Sequence, residues 1–190
     1  MGKNFFIKFF PGICACAVIH AGRSFRGMET RLKIPSPFGS LEAVIGEGKI
    51  LSLYFSEAER SFIQDVPQDP ENLRTADGLR RQLDEYFAGM RREFDLPFAL
   101  HGTEFQIAVW NAIRKIPYGE VRSYGEVAWM AGYPRAARAV GTACRKNAVL
   151  LIVPCHRVVA SDGIGGYGGR PDIKRAILRL EGNTAYEPTV

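Results

Sequence analysis

Cysteine is scarce in this chain, with four residues in 190 at positions 14, 16, 144 and 155. So few, so irregularly spaced, exclude a disulfide framework and are read as reduced thiols of a cytoplasmic protein. One of them can therefore serve as a reagent. A long apolar run is also missing. The opening stretch, MGKNFFIKFFPGICACAVIHAG, faintly resembles a secretory leader, but Lys8 and Pro11 break it and it is too short to span a bilayer. Residues 1–27 are read as an extension ahead of the folded domains, with Met28 a candidate initiator, and no membrane association is expected. Cys14, Cys16 and His20 have no fourth candidate ligand nearby, so no metal site is expected. No glycine-rich nucleotide loop follows a strand, so there is no S-adenosylmethionine or dinucleotide signature. No cofactor is expected. Acidic side chains are thin in one half only: residues 1–100 carry 13 basic and 13 acidic side chains, residues 101–190 carry 12 and 7. The net charge of +5 thus sits entirely in the C-terminal half, where a localised positive field favours a polyanion such as nucleic acid.

What is present reads as an α+β chain. From Leu41 the apolar residues alternate (Leu41, Ala43, Ile45, then Leu51, Leu53, Phe55) around Gly46-Glu47-Gly48, a β-hairpin with one buried face. Residues 57–76 read as a helix fragment and a loop, and Asp77 to Met90 as an amphipathic helix packed on the hairpin. Pro97 to Gly102 looks like a linker. The boundaries drawn are 28–97 for an N-terminal domain and 103–185 for a mostly helical C-terminal one. In the latter, Thr103 caps a helix that stops near Pro117, and Ser123 caps a second that ends at Gly132 and Pro134. A third runs from about Arg135 to Lys146. The second and third, joined by Gly132-Tyr133-Pro134, are a helix-turn-helix candidate.

Placed at 100° intervals, Arg135, Arg138, Thr142, Arg145 and Lys146 fall within an arc of roughly 100°, with Ala136, Val140 and Cys144 opposite. One face is basic and the other is core. The flanks are Ala137, Ala139, Gly141 and Ala143. An ordinary helix, about 10–12 Å across, cannot enter a minor groove about 6 Å wide. Flanks trimmed to alanine and glycine let the backbone come closer, and the pattern points to minor-groove docking. Cys144 is read as a packed core thiol.

After Asn147 an apolar, strand-like run, Ala148 to Val153, ends in Pro154-Cys155-His156-Arg157-Val158. Pro154 restricts the backbone before the thiol, and His156 and Arg157 are placed to activate it as a nucleophile. Arg157 is equally readable as a structural ion-pair partner.

This pentapeptide resembles the active-site motif of the O6-alkylguanine-DNA alkyltransferases, the methylated-DNA–protein-cysteine methyltransferases. The resemblance covers about Thr103 to Glu181. It rests also on Phe105-Gln106 with Val109-Trp110, Ile116-Pro117-Tyr118-Gly119, Ser123-Tyr124-Gly125, Ala137-Arg138-Ala139-Val140-Gly141 and Gly166-Tyr167. It implies a ribonuclease H-like N-terminal domain and a winged helix-turn-helix-like C-terminal domain carrying the active site. It further implies that Cys155 accepts the alkyl group, that His156 acts through water as its base, that Glu181 orients the histidine and that Asn147 holds the active-site turn. Arg138 would fill the space left by a flipped base and Tyr124 would rotate the 3′ phosphate, because a sulfur cannot reach the O6 substituent inside a duplex. Arg135, Thr142 and Arg145 would contact DNA; Tyr167, Val158, Gly166 and Gly168 would line the base pocket. The implied activity is single-turnover repair by a monomer acting on double-stranded DNA that contains O6-alkylguanine, and O4-alkylthymine. Gly168 stands where some relatives have a hydroxyl residue, and Leu150 where some have proline, which bears on the size of alkyl group admitted. A regulatory helix-turn-helix module and a cysteine hydrolase are the competing readings. Cys155 also argues against the alkyltransferase-like proteins, which lack the acceptor.

Overall fold

A computed structural model describes residues 29–56, 69–168 and 170–186. The extension expected over residues 1–27 lies outside them, as does most of the helix fragment and loop expected over 57–76. The order along the chain is β1 (Glu29–Ile34), β2 (Leu41–Gly46), β3 (Lys49–Phe55), α1 (Pro70–Phe87), α2 (Glu104–Ile113), β4 (Arg122–Ser123), α3 (Tyr124–Met130), α4 (Ala137–Arg145), a 3-10 turn (Cys155–Arg157), β5 (Val158–Val159) and α5 (Pro171–Leu180). The fold is α+β.

The first three strands form an antiparallel meander, β1-β2-β3. The hairpin expected from the alternating pattern is β2–β3, and Glu47 and Gly48 both take positive φ, 51° and 68°, as the tight turns matching strand twist require. Helix α1 lies on this sheet. Asp69 caps it with its carboxylate, so it starts well before the expected Asp77 and stops at Phe87 rather than Met90. Its buried Asn72 and Thr75 bind both backbone groups of Gly48, at 2.8 and 2.6 Å, and those two polar side chains broke the helical pattern in the sequence. Leu79 and Leu83 pack with Leu32, Ile45 and Leu53; each buried leucine contributes about 1.5–3 kcal/mol.

Residues 97–99, expected to be a linker, run parallel to β3. Ile50 donates to the Pro97 carbonyl at 2.9 Å and receives from Ala99 at 3.0 Å, an unpaired strand edge taking up the next segment that passes.

The second half is helical. Thr103 and Ser123 each close a capping box, with Gln106 and Glu126, as the sequence indicated. The indole of Trp110 donates to the Ala143 carbonyl at 3.0 Å, which fixes α2 against α4. Helix α4 is shorter than expected: Ala136 at its start offers no side-chain cap, so Arg135 lies ahead of it. The parallel pair β4–β5 joins Arg122 to Val158 and Ser123 to Val159, which ties the start of α3 to the segment after the cysteine. No helix among the described residues is long and apolar enough to cross a membrane.

Candidate active site

Cys155 is 5% exposed and opens the 3-10 turn. The strand expected just before it does not form. Leu53 of β3 engages Ala148 and Leu150 through hydrogen bonds of 2.7 and 2.8 Å, then the chain reverses and Val153 donates to Val149 at 2.9 Å. Leu151 takes a φ of 69° at the reversal. An apolar run is equally buried in a strand or in a tight turn, so hydropathy cannot tell them apart. Asn147 decides it: its Oδ1 accepts from Val149 at 3.0 Å while its Nδ2 donates to the Val153 carbonyl at 2.8 Å and to Cys155 Sγ at 3.2 Å.

His156 is fully buried. Its Nε2 lies 2.9 Å from Glu181 Oε1, and its Nδ1 is buried with no hydrogen-bond partner among the described residues. An ionised carboxylate can only accept, so Nε2 carries the proton and Nδ1 presents a lone pair. Burial lowers the proton affinity of the ring, outweighing the opposite pull of Glu181.

Glu181 follows the last turn of α5. Burial works to raise its carboxyl, but the hydrogen bonds and charges of His156 and Arg157 prevail and hold it well below the usual carboxylate range. Arg157 donates to both carboxylate oxygens, Nε to Oε2 at 2.9 Å and Nη2 to Oε1 at 2.8 Å, and its Nη1 reaches the Ile116 carbonyl at 2.7 Å. Of the two readings left open for Arg157, the geometry selects the ion pair: the guanidinium is committed to Glu181. The Ile116-Pro117-Tyr118-Gly119 motif wraps the same carboxylate. The Gly119 amide donates to Oε2 at 3.1 Å and the Tyr118 hydroxyl to the Leu180 carbonyl at 3.0 Å. At Gly119, with φ 78°, a Cβ would stand 2.7 Å from the Glu181 carbonyl oxygen, so only glycine lets the two segments meet.

Two further residues of the site had no role in the sequence reading. Lys174 of α5 is fully buried, and its ammonium donates to the carbonyls of Val158 and Ile164, both at 2.6 Å, and of Gly166 at 3.3 Å. It gathers the segment that bears the expected pocket residues Val158 and Gly166. The available signal was a lysine on the apolar stripe Lys174, Ile177, Leu178. Tyr86 of α1 donates to Glu181 Oε1 at 2.6 Å, and nothing in its local sequence set it apart from a core aromatic.

Tyr167 is buried, with no partner for its hydroxyl among the described residues; burial, and next the charge of Cys155, push that hydroxyl well up. Tyr124 is half-buried, and burial pushes its hydroxyl up from the ordinary value. A Cβ on Gly165 would lie 2.9 Å from the Tyr124 hydroxyl, so the wall and the start of α3 are in close approach. Gly166 and Gly168 are exposed. Arg135, Arg138, Thr142 and Arg145 are all exposed on the α4 side, and among the described residues no carboxylate pairs with Arg135 or Arg138. Of the four small flanking residues, Ala137 is half-buried and Ala139 exposed, a Cβ on Gly141 would stand 3.7 Å from the Tyr124 ring, and Ala143 is core. The Cys144 thiol is buried, which pushes it up from its ordinary value, although the residue as a whole is only half-buried. Among the described residues no cluster of histidine, cysteine and carboxylate groups could hold a metal ion.

A helix-turn-helix with a basic exposed face, followed by a buried cysteine held by Asn147 next to a histidine–glutamate pair, defines a DNA-binding protein built around a reactive thiol. Residues 104–183 match the DNA-binding domain of 6-O-methylguanine DNA methyltransferase, and residues 31–100 match its ribonuclease-like domain. The chain belongs to the 6-O-methylguanine DNA methyltransferase family. It is 53% identical over 150 residues to the methylated-DNA–protein-cysteine methyltransferase of Methanosarcina acetivorans, covering 78% of this chain and 95% of that one. The solved O6-methylguanine methyltransferase of Mycobacterium tuberculosis superposes with a TM-score of 0.69 at 40% identity, over 86% of this chain and 97% of that one. A Mycobacterium tuberculosis relative crystallised with DNA superposes with a TM-score of 0.69 at 43% identity, over 81% and 93%.

Proposed function

We propose that this protein repairs DNA by taking the alkyl group of O6-alkylguanine irreversibly onto Cys155. The observation that carries the reading is the buried His156–Glu181 hydrogen bond, Nε2 to Oε1 at 2.9 Å, which leaves Nδ1 as the accepting face of the ring next to Cys155.

The thiol gives its proton, through a water, to His156 Nδ1, which Glu181 holds in the accepting tautomer. The thiolate attacks the alkyl carbon; the S–C bond forms as the C–O6 bond breaks. Tyr167 donates a hydrogen bond to the departing oxygen, and the proton taken from sulfur returns to guanine, so charge and atoms balance. The product thioether is a poor leaving group, hence one turnover per molecule. O4-alkylthymine presents the same leaving chemistry.

The lesion reaches the sulfur by base flipping. Arg138 takes the vacated space in the stack and Tyr124, at the start of α3, turns the 3′ phosphate. Arg135, Thr142 and Arg145 hold the flanking backbone with α4 in the minor groove, and Val158, Gly166 and Gly168 line the base. Each protein molecule acts as a monomer.

Incubation with a duplex carrying labelled O6-methylguanine tests the reading. The label is expected on protein at one equivalent and on the Cys155 peptide, while Cys155→Ala binds the duplex and takes no label. A Cys155→Ala variant that still takes label overturns the assignment, and label that stays on DNA favours a regulatory binding module.

A further inference from the structure

Glu181 Oε1 is a crowded atom. It lies 2.9 Å from His156 Nε2, 2.8 Å from Arg157 Nη2 and 2.6 Å from the Tyr86 hydroxyl. The first two donors come from the cysteine turn itself. The third comes from α1 in the N-terminal half, 95 residues away along the chain. Tyr86 is 1% exposed and wedged among aromatic rings, with Phe94 at 5.2 Å, Phe87 at 5.5 Å and Tyr118 at 6.1 Å between centroids. Its hydroxyl has no room to swing away.

We propose that Tyr86 is a positioning residue for alkyl transfer: its hydroxyl pins Glu181 Oε1 and drains part of its charge, so that the carboxylate orients His156 without holding a proton on Nδ1. The inference deepens the reading in which His156 is the base for Cys155, and rests on it. A bare buried carboxylate against an imidazole stabilises the imidazolium. An imidazolium has no lone pair to offer a thiol proton. Burial keeps the second proton off Nδ1, and sharing the anion among Arg157, the Gly119 amide and Tyr86 weakens the opposing pull of Glu181; Tyr86 is the donor supplied by the N-terminal half. The charged and titratable groups facing the pair are Arg157 from the turn, Lys174 from α5, Tyr118 from the segment before β4, Tyr167 from the wall, and Tyr86. The sheet-and-helix unit thus completes the reactive centre instead of merely supporting it.

The test uses the full chain and a duplex containing O6-methylguanine. The transfer rate is followed against pH, and the ring nitrogens of His156 by 15N NMR. Tyr86→Phe keeps the ring and removes one donor, so the acid limb of the rate profile and the protonation of Nδ1 both move to higher pH by about 0.5–1 unit, with duplex affinity unchanged. Fluorotyrosine at position 86, a stronger donor of nearly the same shape, moves both to lower pH. It also decides the matter should the phenylalanine variant fail to fold. If both substitutions leave limb and resonances in place, or lower the rate equally at every pH, Tyr86 is only a packing residue and the proposal is overturned. If instead the wild-type limb does not track His156, the histidine–glutamate reading itself fails.

Discussion

The carboxamide nitrogen of Asn147 lies 3.2 Å from Cys155 Sγ and 2.8 Å from the Val153 carbonyl oxygen. One side chain therefore closes the turn that presents the sulfur and touches the sulfur as well. Asn147→Ala leaves the Val149 amide unsatisfied in the interior, at about 1–3 kcal/mol, and takes one of two donors from the Val153 carbonyl, which keeps the Cys155 amide at 2.8 Å. A loss of about 2–4 kcal/mol in chemical denaturation is expected, together with slower transfer. A variant as stable as wild type would show that the turn closes without the carboxamide.

Arg157 and Glu181 form a buried, bidentate pair. Arg157→Met removes the cation and leaves the carboxylate uncompensated, so destabilisation by about 3–5 kcal/mol is expected. Glu181 would then take up a proton more readily, and activity should fail at higher pH than in wild type. Urea titration and a pH–rate profile of the same variant read the two effects separately.

Acid should weaken the fold in two stages. His156 has a folded proton affinity below the ordinary value of 6.5, so below that pH the unfolded chain binds the extra proton and stability falls. Glu181 is held below its ordinary 4.5, so a second loss begins as pH falls through that value. The urea midpoint measured from pH 7.5 to pH 4 should begin to fall near the ordinary histidine value of 6.5 and fall again below 4.5. A midpoint that stays level between pH 6.5 and 5 would contradict a neutral, buried His156.

At Gly119 the conformation and the 2.7 Å approach to the Glu181 carbonyl both exclude a Cβ. Gly119→Ala is expected to cost about 1–3 kcal/mol and to slow transfer by displacing Glu181, although residue 119 is remote from the thiol in sequence. Calorimetry and single-turnover kinetics on the variant decide this.

Arg138 stands exposed at the centre of the basic face. If it fills the vacated stack, Arg138→Ala should slow reaction with duplex roughly tenfold, the share of a few kcal/mol of unstacking that an inserted side chain recovers. Reaction with the free alkylated base should stay near wild type. Equal slowing of both would remove its role in extrusion.

Local signals in the sequence were enough for the hairpin, the Thr103 and Ser123 caps, the two helices of the DNA-binding motif and the Cys155-His156 dipeptide. In each the deciding forces act over a few residues: side-chain alternation, a hydroxyl capping three amides ahead, a glycine at positive φ. The same information misread Ala148 to Val153 as a strand, because hydropathy reports burial and not backbone direction. It set the start of α1 too late, because Asn72 and Thr75 are polar residues buried for the sake of a turn 24 and 27 positions earlier.

The reactive centre itself divides along the same line. That Cys155, His156 and Glu181 belong together is implied by the family resemblance, which the Pro154-Cys155-His156-Arg157-Val158 motif carries. That Arg157 neutralises Glu181 instead of activating Cys155, that Lys174 gathers three wall carbonyls, and that Tyr86 reaches the carboxylate from the other half of the molecule follow only from packing. Those contacts join segments far apart in the chain, and no periodicity or neighbour pattern records which distant donor a buried acceptor will find once the interior closes and water is excluded.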